Sequence, residues 1–244
     1  MVNKPITVGV LALQGGVVEH LNLLRKASAH IQSADNLQFT FNEVRTPPQL
    51  AQCDALILPG GESTTMAIVA SRLGLLEPLR TFVKIQHKPV WGTCAGLVML
   101  AEEAAATKQG GQELIGGLNV RVLRNRYGTQ MQSFVAGLDL SFLGDSGKED
   151  PFRAVFIRAP IVEKIITEGE VDGSKGSKVE VLGVFRAEGQ QARLEQGGEA
   201  EKGDIVAVRQ GNVFGTSFHP ELTSDIRIHV WWLRQVVDAL GHGK

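Results

Sequence analysis

Residues 90–100 read VWGTCAGLVML, and this stretch decides the fold class. An apolar strand pattern runs into Gly-x-Cys-x-Gly, and a helical pattern follows directly. The order strand, sharp turn, helix is typical of a nucleophile elbow, with cysteine in the place that serine often takes. The flanking Gly92 and Gly96 leave room for a tight turn. We therefore interpret Cys94 as a nucleophile at a helix N-terminus, where backbone N–H groups favour the thiolate.

The chain has one other cysteine, Cys53, and it lacks such a setting. It precedes an apolar strand, and a free cysteine is most often a small buried hydrophobe. We interpret Cys53 as a packing residue. Without its paired glycines, Cys94 would receive the same interpretation. Two cysteines form at most one bridge, which excludes a disulfide scaffold and favours a reducing compartment.

Short apolar runs recur along the chain and predict buried strands, because several lack polar alternation. Helical patterns separate the early runs, one of them over 63–86 with a break near Gly74. A last helix carries an apolar stripe from Ile226 to Val237, with Ser224 or Asp225 as its cap. These elements predict an α/β fold: a three-layer, mainly parallel open sheet flanked by helices, flavodoxin-like, with extra antiparallel strands in the second half. The predicted strands cover 6–13, 55–58, 89–91, 118–123, 154–157, 179–185, 205–208 and 213–218.

The 244 residues fit a single domain over 1–244, and polar surface insertions are expected at about 143–150, 167–178 and 186–204. A formal net charge of −1 gives no reason to expect nucleic acid or an anionic membrane as a partner. No apolar run approaches the ~18 residues of a membrane span, and the start has no signal-peptide pattern. We expect a cytoplasmic protein.

A thiolate nucleophile needs a base, and His219 is the strongest of six histidine candidates. It lies at the end of an apolar strand in Ser-Phe-His-Pro-Glu. In extended backbone, residues i and i+2 project to one side, so Glu221 is expected beside the imidazole. Pro220 restrains His219 to extended conformations. His229 falls on a helix stripe and His242 in a tail, which favours structural or solvated roles.

A glycine loop, Pro-Gly-Gly-Glu-Ser at 59–63, follows the strand at 55–58. Its spacing matches neither a P-loop nor a dinucleotide fingerprint. We interpret it as part of an oxyanion hole, with backbone N–H groups from Gly61 and from Ala95 after the nucleophile. A plain turn with Ser63 or Thr64 as the helix cap is the alternative, and both can hold together.

These pieces resemble class I glutamine amidotransferases, and more narrowly the glutaminase subunits of the two-component pyridoxal 5′-phosphate synthase. The resemblance extends from residue 6 to residue 223 and keeps the family's order. The matching stretches are 9–15 (GVLALQG), 56–66 (LILPGGESTTM), 92–97 (GTCAGL), 124–125 (RN), 155–160 (VFIRAP) and 217–223 (SFHPELT).

The resemblance implies roles for individual residues. Cys94, His219 and Glu221 correspond to the family's catalytic triad. The positions that correspond to glutamine-binding residues are Gly61, Glu62, Ser63, Arg124, Ile157 and Arg158. Gln14 and Gly60 are expected to respond to a partner or to gate the site. No cofactor and no metal are implied.

The implied activity is hydrolysis of L-glutamine to glutamate and ammonia through a thioester, with ammonia passed to a partner synthase in a hetero-oligomeric complex. Two alternatives stay open. One is another Cys-dependent hydrolase of the same fold, such as a γ-glutamyl hydrolase or a peptidase. The other is a non-catalytic, glutaminase-like regulatory subunit.

Overall fold

The computed structural model describes residues 5–35, 37–105, 111–124, 133–144, 150–167, 177–186 and 203–241. Most of the three predicted polar insertions, together with Asn125 and His242, lies outside the described residues. Among the described residues, no helix has the length and apolarity needed to cross a membrane.

Strands and helices alternate over the first hundred residues and again near the end. The strands are β1 (Ile6–Leu11), β2 (Phe39–Val44), β3 (Ala55–Leu58), β4 (Val90–Thr93), β5 (Ala101–Ala105), β6 (Leu118–Leu123), β7 (Ser133–Leu138), β8 (Phe152–Ile157), β9 (Ile161–Ile165), β10 (Glu180–Phe185), β11 (Asp204–Gln210) and β12 (Val213–Thr216). The helices are α1 (Val17–Asp35), α2 (Pro47–Ala51), α3 (Ser63–Arg72), α4 (Leu76–Arg80), α5 (Ala95–Leu100) and α6 (Arg227–Ala239).

The main sheet has a parallel half and a mostly antiparallel half. Strands β2, β1, β3, β4 and β12 are parallel neighbours in that order, which is the flavodoxin-like arrangement. Beyond β12 the order continues β11, β9, β6, β5, and only β5 and β6 pair in parallel. Strand β10 pairs with β11, and β7 and β8 form a separate antiparallel pair. The predicted fold class is confirmed.

Both faces of the inner strands β1, β3, β4 and β12 are buried, which is why these strands lack polar alternation. Successive side chains of β3 point to opposite faces. Ile57 joins a core with α1 and α6 that includes Trp91 and Trp232, whereas Leu56 and Leu58 join a second core with α3, α4 and α5. The sheet is therefore the middle of three layers.

The sequence analysis did not predict four of the strands, namely β2, β5, β7 and β9. Strand β5 reads AEEAA, a composition that favours helix rather than strand. Helix α5 nevertheless ends at Leu100, because pairing with β6 overrides local propensity. Strand β2 is an edge strand with mixed exposure, so its apolar signal is weak.

Candidate active site

The turn between β4 and α5 holds Cys94 in a conformation that side chains rarely adopt. Its φ is 49° and its ψ is −105°, and its N–H donates to the Thr216 carbonyl of the neighbouring strand at 2.8 Å. A backbone of this kind costs on the order of 1–3 kcal/mol and concentrates at functional sites. A side chain at Gly96 would collide with the Leu58 carbonyl, so the turn requires glycine there. The predicted order of strand, sharp turn and helix around Cys94 is confirmed.

His219 lies against Cys94 and pairs with Glu221. Its Nδ1 is 2.8 Å from Glu221 Oε1, and its backbone N–H donates to the Val155 carbonyl at 2.8 Å. The two side chains meet through a 3-10 turn at Pro220–Leu222, because the strand ends at Thr216. The expectation that Glu221 lies beside the ring is confirmed, but the extended backbone given as its reason is wrong.

Electrostatics favour an imidazolium between two acceptors. Burial alone would lower the pKa of His219, but hydrogen bonds with Cys94 and Glu221 outweigh it and raise this pKa to about 10. Burial would raise the pKa of Glu221, yet His20 and His219 hold it below the ordinary value. At neutral pH, His219 therefore carries a proton and Glu221 is ionised.

The glycine loop after β3 touches both reacting side chains. A side chain at Gly60 would collide with the His219 ring and lie 3.4 Å from Cys94 Cβ. Gly61 has φ 141°, a conformation open to glycine alone, and Gln14 packs against it. The Gln14 Oε1 accepts the Glu62 N–H at 2.7 Å. Residues 14 and 60–62 thus form one contact unit beside Cys94.

Glu62 caps helix α3, so the expectation that Ser63 or Thr64 does so is wrong. Its carboxylate accepts the backbone N–H groups of Thr64 at 3.0 Å and Thr65 at 2.7 Å, as well as the Thr65 hydroxyl at 2.6 Å. Burial would raise the pKa of Glu62, but these hydrogen bonds together outweigh it and lower this pKa to about 2. Glu62 therefore stays ionised beside the loop.

Arg124 lies at the first turn of α3. Its Nη1 donates to Gln112 Oε1 at 2.9 Å and Thr64 Oγ1 at 3.1 Å, and Ser63 Oγ is 3.5 Å away. Gln112 Oε1 also accepts from Ser63 Oγ at 3.1 Å. Sequence reasoning missed Gln112, because nothing in its own stretch points to α3.

The end of strand β8 covers the nucleophile from another side. The Cys94 thiol faces the Ile157 carbonyl at 4.0 Å, so it is the backbone of Ile157 that reaches the site. Arg158 follows with φ 43° and is exposed. Cys94, His219, Glu221, Gly60 and Ile157 are therefore brought together, whereas Arg124 and Ser63 form a second group at the far end of the glycine loop.

Sequence reasoning also assigned no role to His20, which is fully buried behind Glu221. Its Nε2 is 3.4 Å from Glu221 Oε2. The available signal is a polar residue on the apolar stripe of α1, among Val17, Leu21 and Leu24. That pattern alone does not reveal a neighbour 201 residues away.

Comparison with known proteins gives one consistent result. The profile of the SNO glutamine amidotransferase family matches residues 10–238. A probable pyridoxal 5′-phosphate synthase subunit PDX2 of Arabidopsis thaliana is 42% identical over 238 residues, covering 94% of this chain and 85% of the relative. The pyridoxal 5′-phosphate synthase subunit PdxT of Streptomyces avermitilis is 44% identical over 227 residues, covering 93% and 92%.

A solved structure shows the same similarity in three dimensions. A crystal structure of a glutamine amidotransferase matches with a TM-score of 0.70 and 35% identity, covering 94% of this chain and 98% of the other. The region that the family profile matches, residues 10–238, includes the elbow, the glycine loop and the His219 turn. The resemblance to the glutaminase subunits of pyridoxal 5′-phosphate synthase is confirmed, and the chain belongs to the SNO glutamine amidotransferase family.

Proposed function

We propose that Cys94, His219 and Glu221 are the catalytic triad with which this chain hydrolyses L-glutamine. As a member of its family, the chain is the glutaminase subunit of a pyridoxal 5′-phosphate synthase. One observation carries the assignment of residues: His219 lies against Cys94 at a strained elbow and is held by Glu221 at 2.8 Å. The nucleophile Cys94 thus contacts the base His219, and His219 contacts the orienting group Glu221.

The chemistry runs in two halves. The Cys94 thiolate attacks the side-chain amide carbon of glutamine, and His219 gives its proton to the nitrogen as the C–N bond breaks. Ammonia leaves, and a thioester joins the glutamyl group to Cys94. Neutral His219 then takes a proton from water, whose oxygen attacks the thioester carbon. Glutamate leaves, and the thiolate and imidazolium are restored.

Two backbone N–H groups serve the oxyanion in this scheme. Ala95 follows the nucleophile and begins α5, so its N–H has no earlier helical carbonyl to bind. Gly61 supplies the second from the loop that contacts Cys94 and His219. Such donors stabilise charge that develops only in the transition state, and each is worth about 10²–10³-fold in kcat.

The zwitterionic end of glutamine would lie toward the glycine loop and its far end. Cations suit the α-carboxylate, and Arg124 and Arg158 are the candidates. The ionised Glu62 suits the ammonium group, together with Ser63. The Ile157 carbonyl, next to the thiol, is an acceptor for the amide end.

Ammonia must reach its acceptor before water protonates it. The names of the relatives describe subunits of a pyridoxal 5′-phosphate synthase, so we place the acceptor site on a separate synthase subunit in a hetero-oligomeric complex. Docking of that subunit would act on Gln14 and Gly60, because Gln14 holds the Glu62 N–H and Gly60 packs against His219. This contact unit could couple docking to the oxyanion donors.

The test is glutamine hydrolysis by the purified chain with and without its synthase subunit. We expect low activity alone, a gain with the synthase, and a loss of about 10⁴-fold or more in Cys94→Ala with glutamine binding retained. Cys53→Ala is the matched control and should keep wild-type turnover. Full turnover by Cys94→Ala would refute the triad. A wild-type chain that binds the synthase but never hydrolyses glutamine would indicate the regulatory alternative.

A further inference from the structure

A buried pair of histidines lies directly behind the carboxylate of Glu221. His20 is on α1 and His229 on α6, and both are fully buried. His20 Nε2 is 3.4 Å from Glu221 Oε2, and His20 Nδ1 is 3.1 Å from His229 Nε2. The polar chain that starts at Cys94 therefore continues past Glu221 into the interface between the two helices.

The protonation of His20 follows from its neighbours. An ionised carboxylate only accepts hydrogen bonds, and Glu221 Oε1 already receives His219 Nδ1–H. The other oxygen, Oε2, is buried and has no hydrogen-bond partner of good geometry among the described residues. A bare nitrogen lone pair facing it would be repulsive, so His20 carries its proton on Nε2.

His229 then takes the complementary tautomer. With its proton on Nε2, His20 has an acceptor at Nδ1, and the proton between the rings belongs to His229 Nε2. His229 Nδ1 is left unprotonated, which agrees with its having no hydrogen-bond partner among the described residues. His229 thus fixes the tautomer of His20, and that tautomer directs the Nε2–H of His20 toward Glu221.

The surroundings keep both rings neutral and in place. Trp91 packs edge-on against them, with ring centroids 5.7 Å from His20 and 4.9 Å from His229. Burial lowers the pKa of both rings; Glu221 and Glu19 oppose this at His20, and His219 adds to it. Thr93 Oγ1 is the hydrogen-bond partner of His20 Nε2, also at 3.4 Å, so the Nε2–H lies between the Thr93 hydroxyl and the Glu221 carboxylate.

Helix α1 also meets Glu221 through its approach loop. A side chain at Gly16 would place its Cβ 2.8 Å from Glu221 Cγ. The His20 N–H donates to the Gly16 carbonyl at 3.0 Å. The start of α1 therefore lies directly against the carboxylate, and His20 is the side chain that it points at the free oxygen.

We propose that His20 is a positioning residue of this active site: its Nε2–H faces Glu221 Oε2 and stabilises the negative charge there, with His229 fixing its tautomer, so that Glu221 keeps His219 aligned with Cys94. This inference rests on the triad proposed above. It gives the two helices that carry these rings, α1 and α6, a part in positioning the triad. Neither histidine ring touches the substrate in this proposal.

The activity test compares two replacements at each ring. In His20→Gln the side-chain amide keeps an N–H donor where Nε2 was, whereas His20→Leu removes it. We expect His20→Leu to lower kcat about 10–100-fold with an unchanged KM for glutamine, as for other outer partners of functional groups. Its alkaline limb should move to lower pH, because a misplaced Glu221 supports the His219 proton less. His20→Gln should recover most of both, and His229→Gln should likewise exceed His229→Leu.

The matched control is Leu24→Ala, which removes a fully buried apolar side chain one turn further along the same helix. It should lower the melting temperature and leave kcat, KM and the alkaline limb of the folded enzyme unchanged. Equal losses in His20→Gln and His20→Leu, or a wild-type limb in His20→Leu, would overturn the inference.

A measurement independent of turnover separates this inference from the proposed function. Long-range ¹H–¹⁵N spectra of the wild-type histidine rings report which nitrogen is protonated. We expect a proton on His20 Nε2 and none on His20 Nδ1, even where glutamine is not hydrolysed. The opposite tautomer would overturn the inference, and this holds when His20→Leu fails to fold.

Discussion

Cys53 and Cys94 lie on opposite ends of neighbouring strands in one parallel sheet. Cys53 precedes β3 and is 1% exposed, and Cys94 follows β4 and is 7% exposed. Cys53 donates to the Gln49 carbonyl at 3.3 Å, and burial, opposed by Lys88, raises its pKa to about 11. Cys94 faces a protonated histidine instead. Burial does not distinguish the two thiols; what distinguishes them is the end of the strand, since sites of such sheets gather at the carboxyl edge.

The largest effect is expected from removing the carboxylate of Glu221, which supports the histidine beside Cys94 and has no counterpart in the surroundings given above for Cys53. In Glu221→Gln, the amide can present N–H to His219 Nδ1 and stabilise the wrong tautomer. We expect kcat to fall about 10⁴-fold. Because His219 has a raised pKa, its proton is retained below about pH 10 and lost above it, so the wild-type alkaline limb should lie near pH 10. In the variant this limb should move toward neutral pH.

Kinetics between pH 6 and pH 11 measure both effects in Glu221→Gln. The control is Asp238→Asn, which neutralises an exposed carboxylate near the end of α6 and should keep the wild-type profile. A Glu221→Gln enzyme with a limb still near pH 10 would show that Cys94 alone sets the proton affinity of His219.

The next effect is the difference in alkylation between the thiols. A thiol with a pKa of about 11 is roughly one part in a thousand thiolate at pH 8, and Cys53 is shielded as well. Cys94 should therefore react with iodoacetamide at least ~10³-fold faster, by peptide mass spectrometry. Glutamine should protect Cys94. Comparable labelling of Cys53 and Cys94 in the folded chain would contradict this prediction. In denaturant, where the chain is unfolded, the difference in labelling rate should disappear.

The smallest expected effect comes from paired glycine replacements, one beside each cysteine. The added methyl of Gly60→Ala meets the His219 ring, and a displacement near 1 Å costs about 10²-fold in rate. The methyl of Gly9→Ala would lie 2.7 Å from Cys53 Sγ, and such overpacking costs about 1–3 kcal/mol of stability. Denaturant unfolding and glutaminase rates should separate the pair: Gly60→Ala loses rate and Gly9→Ala loses stability. An active Gly60→Ala would argue against close packing of His219.

Features carried by neighbouring residues were predictable, and those that depend on distant contacts were not. The elbow around Cys94 and the proximity of Glu221 to His219 follow from short motifs. The capping role of Glu62 was missed because Ser63 and Thr64 are the commoner caps. Strand β5 was missed because its alanines and glutamates favour helix, and only β6 makes it a strand. His20 depends on Glu221, 201 residues later, and no local pattern carries that information.

Because β4 pairs with β12, the distance between Cys94 and His219 in space does not depend on how many residues lie between them in the chain. Thr93 is in register with Thr216, so the residues that follow, Cys94 and the His219 segment, start from one rung of the sheet although 125 residues separate Cys94 from His219. The entropic cost of closing a connection grows only with the logarithm of its length, about 0.6 kcal/mol per doubling. The loops between the intervening strands are therefore free to be lengthened, trimmed or exchanged in protein engineering, provided that this rung stays paired and that β8 and Arg124 keep their places at the site.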